Sequence, residues 1–424
     1  MKSITSILVN YSDSAGGAAI AAYRTHRSLL SNDVNSVMWV NKWQTGDWTV
    51  KSDPSLAHRI TSRLRATTGR ALPELFFRDA KNTYRSYNWL PSFRAIELNK
   101  SDADLVHLVW INNEMLSVKD LAKINKPKIV TLQDMWLFCG AEHYTENDRY
   151  KTGYLIGSAP GTFTGVDIDR WVWRRKRRAW QKPFQLVAIS EWLATCIRSS
   201  SLLADWPVEV IPNPVDTSIW KPLERDVARR AFNLPEGKKI ILFGAMGGTS
   251  DKRKGYVYLK EALCILADQR QDVHLVIYGQ VQPEKPEKSL FPISYVGRLY
   301  DPVTMCLLNN AADVFVTPAI QEAFGQTASE AQACGTPVVA FADTGVADIV
   351  AHKKTGYLAP LADSQQLASG ISWVLDIQDN PTNIDGLDRM RQCCRDRAVE
   401  LFSYEVVGKQ YKTLYDTVLQ AKNH

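Results

Sequence analysis

The carboxylates best placed for chemistry in this sequence are Glu322 and Glu330, eight residues apart in Glu322-Ala323-Phe324-Gly325-Gln326-Thr327-Ala328-Ser329-Glu330. The apolar run Asp313–Thr317 ends just before them and predicts a strand, so the loop falls at the carboxyl edge of a sheet, where ligands of open α/β folds bind. Gly325 permits close backbone approach, and the amides of Phe324 to Thr327 open a helix whose positive end favours a phosphate. A separation of just over two helical turns predicts that both carboxylates reach one ligand. A ribose diol suits one of them and sugar hydroxyls suit the other.

These residues need a sheet behind them, and the chain supplies two. In the first half, Ile4–Val9 is apolar on both faces and runs into Gly16-Gly17 and the Ala-rich stretch Ala18–Leu30, which reads as strand, glycine turn, helix. Ser36–Val40, Leu105–Trp110, Lys128–Leu132 and Gln185–Ile189 are further strand candidates. Val208–Val215 is a short strand broken by Pro212 and Pro214, and a hinge is expected there. The pattern then restarts with Lys239–Phe243, His274–Tyr278, Ile293–Val296, Asp313–Thr317 and Pro337–Phe341. Alternating strand and helix predicts an α/β protein of two tandem Rossmann-like, doubly wound parallel sheets facing a cleft. The expected domains are 1–210 and 211–403, with a helix over 404–424 packing back on the first.

A length of 424 residues is enough for two cores, and an apolar share of 45% with 23% charged residues excludes disordered and collagen-like classes. Lys plus Arg exceeds Asp plus Glu by only 51 to 45, so no nucleic-acid partner is expected. Seven cysteines without a C-x-x-C spacing argue against a disulfide framework or a zinc site and fit a reduced, cytoplasmic compartment. No run reaches the ~18 apolar residues of a membrane span. Ala57–Arg85 is strongly basic and amphipathic, carrying Arg59, Arg63, Arg65, Arg70, Arg78, Lys81 and Arg85. It reads either as helices lying on an anionic membrane surface or as an ordinary helix whose arginine stems cover the protein. Trp171–Trp180 mixes tryptophans with Arg174, Arg175, Lys176, Arg177 and Arg178 and reads first as a solvated helix face, with contact to acceptor or lipid phosphate as the alternative. Asp102 with Asp104, and Asp167 with Asp169, have a spacing that metal sites use, but no metal is expected.

The unit from Glu322 to Glu330, continued by Ala331-Gln332-Ala333-Cys334-Gly335-Thr336-Pro337 and by Gly345 and Thr355-Gly356-Tyr357-Leu358, resembles the retaining glycosyltransferases of family 4. That resemblance implies the B-type fold (GT-B), with the nucleotide-sugar donor held by the second domain. It implies that Lys254 grips the donor diphosphate, with Arg253 or Arg298 replacing a companion arginine where this chain has Gly248. Glu330 is then expected on the ribose diol and Glu322 on the transferred sugar. Gly16 and Gly17 resemble the family's glycine loop over the donor phosphates. Val130–Trp136 resembles a block usually written with His-Asp, where this chain has Gln133-Asp134; Gln133 can hydrogen-bond to a sugar but carries no proton at neutral pH. Asp134 remains, and His143 is an acceptor-side candidate.

The expectation is therefore a metal-independent, cofactor-free hexosyltransferase acting with retention on a UDP- or GDP-sugar. Glu322, Gln133, Asp134 and Lys254 are its catalytic candidates, and Ala323, Phe324, Gly325, Gln326 and Thr327 join the donor site. The acceptor is expected to be a saccharide, lipid-linked through a polyprenyl diphosphate, in bacterial surface polysaccharide assembly at the inner membrane face. A nucleotide-sugar 2-epimerase of the same fold and a silenced nucleotide-sugar-binding partner are the alternatives.

Overall fold

The computed structural model of the chain describes residues 3–53, 55–76, 84–160, 166–244, 248–285, 288–379 and 384–422. The chain divides into two units, Met1–Pro212 with Val407–His424, and Asn213–Val406. The first division falls within the proline-broken segment after residue 208, and the chain rejoins the first unit inside its last helix.

The first unit is built on strands β1 (Thr5–Val9), β2 (Asn35–Trp39), β3 (Val50–Lys51), β4 (Leu105–Leu108), β5 (Lys128–Leu132), β6 (Gln185–Ala188) and β7 (Val208–Val210). They form one sheet in the order β3-β2-β1-β4-β5-β6-β7, every pair parallel. Its strands are apolar on both faces because both faces are covered; Ile7, Leu8 and Val9 of β1 and Leu105 and Val106 of β4 are all buried. Strand order reverses between β1 and β4, so the loops that follow these two neighbours diverge and leave a crevice at the sheet's carboxyl edge. The two-residue β3 has too short a pattern to be read from sequence.

The last helix, Tyr404–Lys422, closes one face of this sheet. Val407, Tyr411, Leu414 and Tyr415 pack with Leu8, Leu105 and Ile129. It also satisfies a polar residue in a central strand. His107 of β4 is wholly buried, with Nδ1 2.7 Å from the Tyr415 hydroxyl and Nε2 2.7 Å from the Thr131 hydroxyl, which lies 3.1 Å from the Tyr411 hydroxyl. Burial pushes its imidazole down to about 3, so it stays neutral.

The second unit repeats the plan with β8 (Lys239–Gly244), β9 (Val273–Tyr278), β10 (Ile293–Tyr295), β11 (Val314–Thr317), β12 (Val338–Phe341) and β13 (Gly356–Ala359). The order is β10-β9-β8-β11-β12-β13, again all parallel, and the reversal lies between β8 and β11. Strand β13 was not expected, because its Thr-Gly opening looks like a turn. Gly356 is needed there since a Cβ would lie 1.8 Å from the Val338 carbonyl oxygen, the contact that brings β13 against β12.

Two sequence expectations change. The basic stretch forms the helix Leu56–Phe76, but Arg65 does not face outward. Its guanidinium donates to the carbonyls of Pro91 (2.6 Å), Leu90 (2.9 Å) and Glu114 (3.0 Å), and Arg85 pairs with Asp169 at 3.1 Å, so neither is available to lipid phosphates. Arg78 and Lys81 lie outside the described residues. In helix Ile168–Ala179 the expectation of a solvated cationic face fails at Lys176. Lys176 is wholly buried because its ammonium caps the carbonyls of Trp136, Cys139 (3.0 Å) and Gly140 (2.7 Å) and sits 3.9 Å from the Trp136 ring centroid. No described helix is long and apolar enough to cross a membrane.

Candidate functional site

At the strand-order reversal of the second unit, the loops after β8 and β11 carry Lys254 and Glu322, whose Nζ and Oε2 are 2.6 Å apart. Three local features put the lysine there. Asp251 accepts the Arg253 N–H (3.0 Å), capping a short 3₁₀ turn over Lys252–Lys254. Gly255 then turns with φ 67°, and a Cβ on it would lie 1.8 Å from the Pro318 carbonyl oxygen, so only glycine lets the turn close on the β11 loop. The Ile320 N–H donates to the Arg253 carbonyl at 2.9 Å, completing the link between the loops.

Glu322 is held from the other side by Gly345, whose N–H donates to the Glu322 carbonyl at 2.8 Å and whose missing Cβ leaves room for the Ala323 carbonyl. Burial would push the Glu322 carboxyl up. The charge and hydrogen bond of Lys254, then the charge of Arg253 and the Phe324 N–H, outweigh burial and hold it below its ordinary value. Arg253 also pairs with Asp251 at 2.8 Å, so it stands beside Lys254 as a second cation. Arg298 is exposed, three residues past the end of the edge strand β10.

The path from Glu322 to Glu330 is not two helical turns. Gly325, at φ 96°, caps the helix Gln326–Ala333, so the first half of the interval is loop and the second half helix. A Cβ at Gly325 would sit 2.6 Å from Val346 Cγ2. Glu330 is on the buried side of that helix, 7% exposed, and its charge acts on Tyr278 at the end of β9. Burial, reinforced by Glu330, pushes the Tyr278 phenol far up. Gly244 makes room for that ring, since a Cβ there would lie 2.0 Å from it. Tyr278, Asp251 and Pro318 were not singled out from sequence; Asp251, two residues before Arg253, is the one whose spacing signals a cap.

At the corresponding reversal in the first unit, Gly16 takes φ 96° at the start of helix Gly17–Leu30. The loop before it is pinned. Asn10 donates to the Ser12 carbonyl at 2.5 Å and accepts the Trp110 N–H at 2.8 Å, joining the loops after β1 and β4, while Asp13 accepts from the Thr45 N–H (2.8 Å) and hydroxyl (2.7 Å). Gln133 is half-buried at the end of β5. Next to it, Asp134 accepts from His143 Nδ1 (2.6 Å), Trp110 Nε1 (3.2 Å) and the Trp136 N–H (2.9 Å). Burial would raise the Asp134 carboxyl, but His143, the Trp136 amide and the Trp110 indole hold it below its ordinary value. His143 Nε2 is 2.8 Å from the Ser86 hydroxyl, and Nδ1 is the nitrogen that faces the Asp134 carboxylate. Both ring nitrogens are thus engaged, and His143 is a brace for Asp134 in this arrangement.

Three of the four aspartates with metal-like spacing serve the fold. Asp104 accepts the Thr5 N–H at 2.8 Å, Asp167 caps helix Ile168–Ala179 and pairs with Arg149, and Asp169 pairs with Arg85. No group of His, Cys, Asp and Glu suited to a metal occurs among the described residues.

The sequence family described as Glycosyltransferase Family 4 matches residues 15–219, and that described as Glycosyl transferases group 1 matches residues 224–386. An MMP alpha-(1->4)-mannosyltransferase of Mycolicibacterium hassiacum is 27% identical over 342 residues, 78% of this chain and 74% of that protein. A D-inositol 3-phosphate glycosyltransferase of Arthrobacter sp. (strain FB24) is 31% identical over 222 residues, 48% of this chain and 51% of its own length. The matched part thus spans about half the length of the inositol-phosphate relatives. Among solved structures, sucrose-phosphate synthase from Thermosynechococcus elongatus superposes with a TM-score of 0.68 at 20% identity, covering 99% of this chain and 100% of the other. Anabaena HepE in complex with UDP-glucose gives 0.59 at 15% identity, covering 97% and 100%.

Proposed function

This chain belongs to glycosyltransferase family 4, and we propose that it transfers a hexose-type sugar with retention from a UDP- or GDP-linked donor to a saccharide acceptor. The observation that carries the proposal is the Lys254–Glu322 pair, set on the two loops that diverge at the strand reversal of the second unit. A cation held there by a carboxylate suits a diphosphate at one end and a sugar hydroxyl at the other. Glu330, just over one turn into helix Gln326–Ala333, is assigned to the ribose diol. The named nucleotide ligand of HepE and the mannosyl transfer named for the mycobacterial relative support this division of labour.

The reaction then follows from charge. The donor's anomeric carbon–oxygen bond breaks, negative charge builds on the leaving diphosphate, and Lys254, Arg253 and the amides following Phe324 stabilise it. The acceptor hydroxyl attacks from the same face, its proton passes to the leaving phosphate oxygen, and configuration is retained. Asp134, held ionised by its three donors, and Gln133 would address sugar hydroxyls on the acceptor side. Fixed cations make a divalent ion unnecessary, so activity is expected to survive EDTA. The acceptor is proposed to be lipid-linked, within bacterial surface polysaccharide assembly at the cytoplasmic membrane face.

Product analysis tests this reading. Incubation with UDP- and GDP-hexoses and an oligosaccharide acceptor panel, followed by mass spectrometry and proton NMR, should yield a glycoside whose new linkage keeps the donor's anomeric configuration. An epimerised donor, or an inverted linkage, would overturn it.

A further inference from the structure

Helix Ile168–Ala179 buries Lys176 but keeps other cations at its surface, and a short helix, Val118–Ala122, lies beside it. Trp180 Nε1 donates to the Val118 carbonyl at 2.8 Å, tying the end of one helix to the start of the other. Between them runs a groove of about 620 Å³ lined by Ala122, Ala179 and the Trp171 indole together with Lys119, Lys123, Arg175 and Arg178. The Arg175 guanidinium, 4.6 Å from the Trp171 ring centroid, donates to the Trp89 carbonyl at 3.3 Å. Lys119, Arg174 and Arg178 are exposed, and their side chains form no ion pair or hydrogen bond among the described residues. The two helices hold two acids, both turned inward. Asp120, 1% exposed, accepts from the Ser117 hydroxyl (2.7 Å) and the Ser92 N–H (2.8 Å) and pairs with Lys123 at 3.4 Å, while Asp169, 7% exposed, pairs with Arg85. Glu114, the other acid whose charge reaches Arg175, is buried and shared with Arg65. Positive charge therefore remains on Lys119, Arg174 and Arg178. Next to this cationic face stands an apolar loop. Arg170 Nε donates to the Tyr154 carbonyl at 3.0 Å, which seats the loop after Tyr154 against the helix one turn before Arg174, and that loop holds Leu155 and Ile156 60% and 85% exposed.

We infer that this face, the groove with the Leu155–Ile156 loop beside it, docks the protein on an anionic phospholipid bilayer. The inference deepens the membrane-face reading proposed above and rests on it. Guanidinium and ammonium groups pair with lipid phosphates, an indole settles at the level of the headgroups, and a short apolar loop enters the acyl boundary. A soluble anion would answer the cations but leave Leu155 and Ile156 in water, whereas a bilayer covers both at once. The longer basic helix, Leu56–Phe76, is the weaker dock, because Arg65 at the centre of its run is taken up by three carbonyls.

The test is sedimentation of the full chain with sucrose-loaded vesicles of phosphatidylcholine with or without phosphatidylglycerol, with UDP calorimetry in parallel to report the donor site. Anionic vesicles should bind roughly tenfold or more tighter than neutral ones, and added salt should weaken that binding. The Lys119→Gln/Arg174→Gln/Arg178→Gln triple variant should lose on the order of a hundredfold in affinity for anionic vesicles, about fivefold per cation. Leu155→Ser/Ile156→Ser should weaken the same binding by roughly tenfold or more, while UDP binding stays unchanged in both variants. All of these side chains are exposed, so the variants should fold, and an unaltered UDP titration verifies that. Vesicle binding that survives in the triple variant, or that is lost instead in Arg63→Gln/Arg70→Gln, would overturn this face as the dock and leave the membrane reading standing. Equal recovery with neutral and anionic vesicles, or none with either, would contradict the membrane reading and the inference with it. Soluble poly-glutamate that binds as tightly as the anionic vesicles, and is lost in the same triple variant, would overturn the inference in favour of an acidic protein partner. Failure of UDP to bind the wild type is a separate result against the donor reading.

Discussion

Replacing Lys254 by methionine separates what the cation does for the fold from what it does for a ligand. The Lys254 and Glu322 side chains are 25% and 16% exposed, so theirs is a partly buried pair rather than a solvated surface one. Removing the cation leaves a carboxylate with burial opposing its charge, a loss of about 1–3 kcal/mol. In a unit the size of Asn213–Val406, a loss near the middle of that range lowers Tm by roughly 4–8 °C. The pH dependence fixes the cause. In the wild type Glu322 is held below its ordinary value, so its contribution is present above the unfolded carboxylate pKa and lost as pH falls through the folded one. In the variant burial prevails, the pKa rises above the unfolded value, and the same group destabilises at neutral pH. The stability gap should therefore be widest near pH 7 and close on acidification through the carboxylate range. The Lys254→Met/Glu322→Gln double variant, with no stranded charge, should recover most of the loss. Binding should behave oppositely. Charge-assisted contacts to a diphosphate are worth about 1.5–3 kcal/mol, or roughly 10–150-fold in Kd for UDP, and the double variant should not regain them. Urea unfolding against pH with UDP calorimetry measures both. A pH-independent stability gap would refute the electrostatic account, and a double variant that binds UDP like wild type would refute the phosphate role.

Three further outcomes follow from the same geometry. Gly255→Ala would drive a Cβ to 1.8 Å from the Pro318 carbonyl in a left-handed turn, so urea unfolding should show a loss above about 2 kcal/mol together with weakened UDP binding. His107 and His26 are buried neutral, with imidazoles pushed down by burial to about 3 and about 4. The unfolded chain takes up their protons as pH falls below about 6.5, so at pH 5 each should cost the first unit about 2 kcal/mol, and the acid sensitivity of its unfolding should shrink in His107→Gln. Lys176→Met leaves the carbonyls of Trp136, Cys139 and Gly140 without their buried donor. Because that loop carries Asp134 and His143, acceptor-dependent kcat/KM should fall by tenfold or more while UDP affinity is unchanged.

How far the sequence reached depended on the kind of signal. Strands buried on both faces, such as Ile4–Val9 and His274–Tyr278, announce themselves as apolar runs, and the two-sheet plan followed from their alternation with helices. Strand β13 did not, because Thr355-Gly356 has turn chemistry and the need for glycine there is a close approach to Val338, visible only in three dimensions. Around the candidate site, Glu322 and Glu330 stood out by type and spacing, and Lys254 through the resemblance to family 4. Their supports did not: Pro318 acts through a backbone carbonyl, and Tyr278 lies far away in sequence. Helical arithmetic between Glu322 and Glu330 failed because Gly325 starts the helix midway. Amphipathic charge was equally ambiguous. Arg65 and Lys176 sit in basic runs indistinguishable from solvated faces, yet each is turned inward to cap carbonyl oxygens. Nor could spacing show that His143 stands against Asp134 and Ser86, since Ser86 reaches it from a distant segment.

The claim on which the rest depends is that the second unit holds a nucleotide-sugar through Glu330 and Lys254. It is tested most directly by thermal unfolding with UDP, GDP and dTDP, on the wild type and on Glu330→Ala. A single preferred nucleotide should raise Tm with concentration, corresponding to about 2.7 kcal/mol at a hundred times its Kd, and the variant should lose that response while remaining folded. No response to any of the three, or one that Glu330→Ala retains in full, would contradict it.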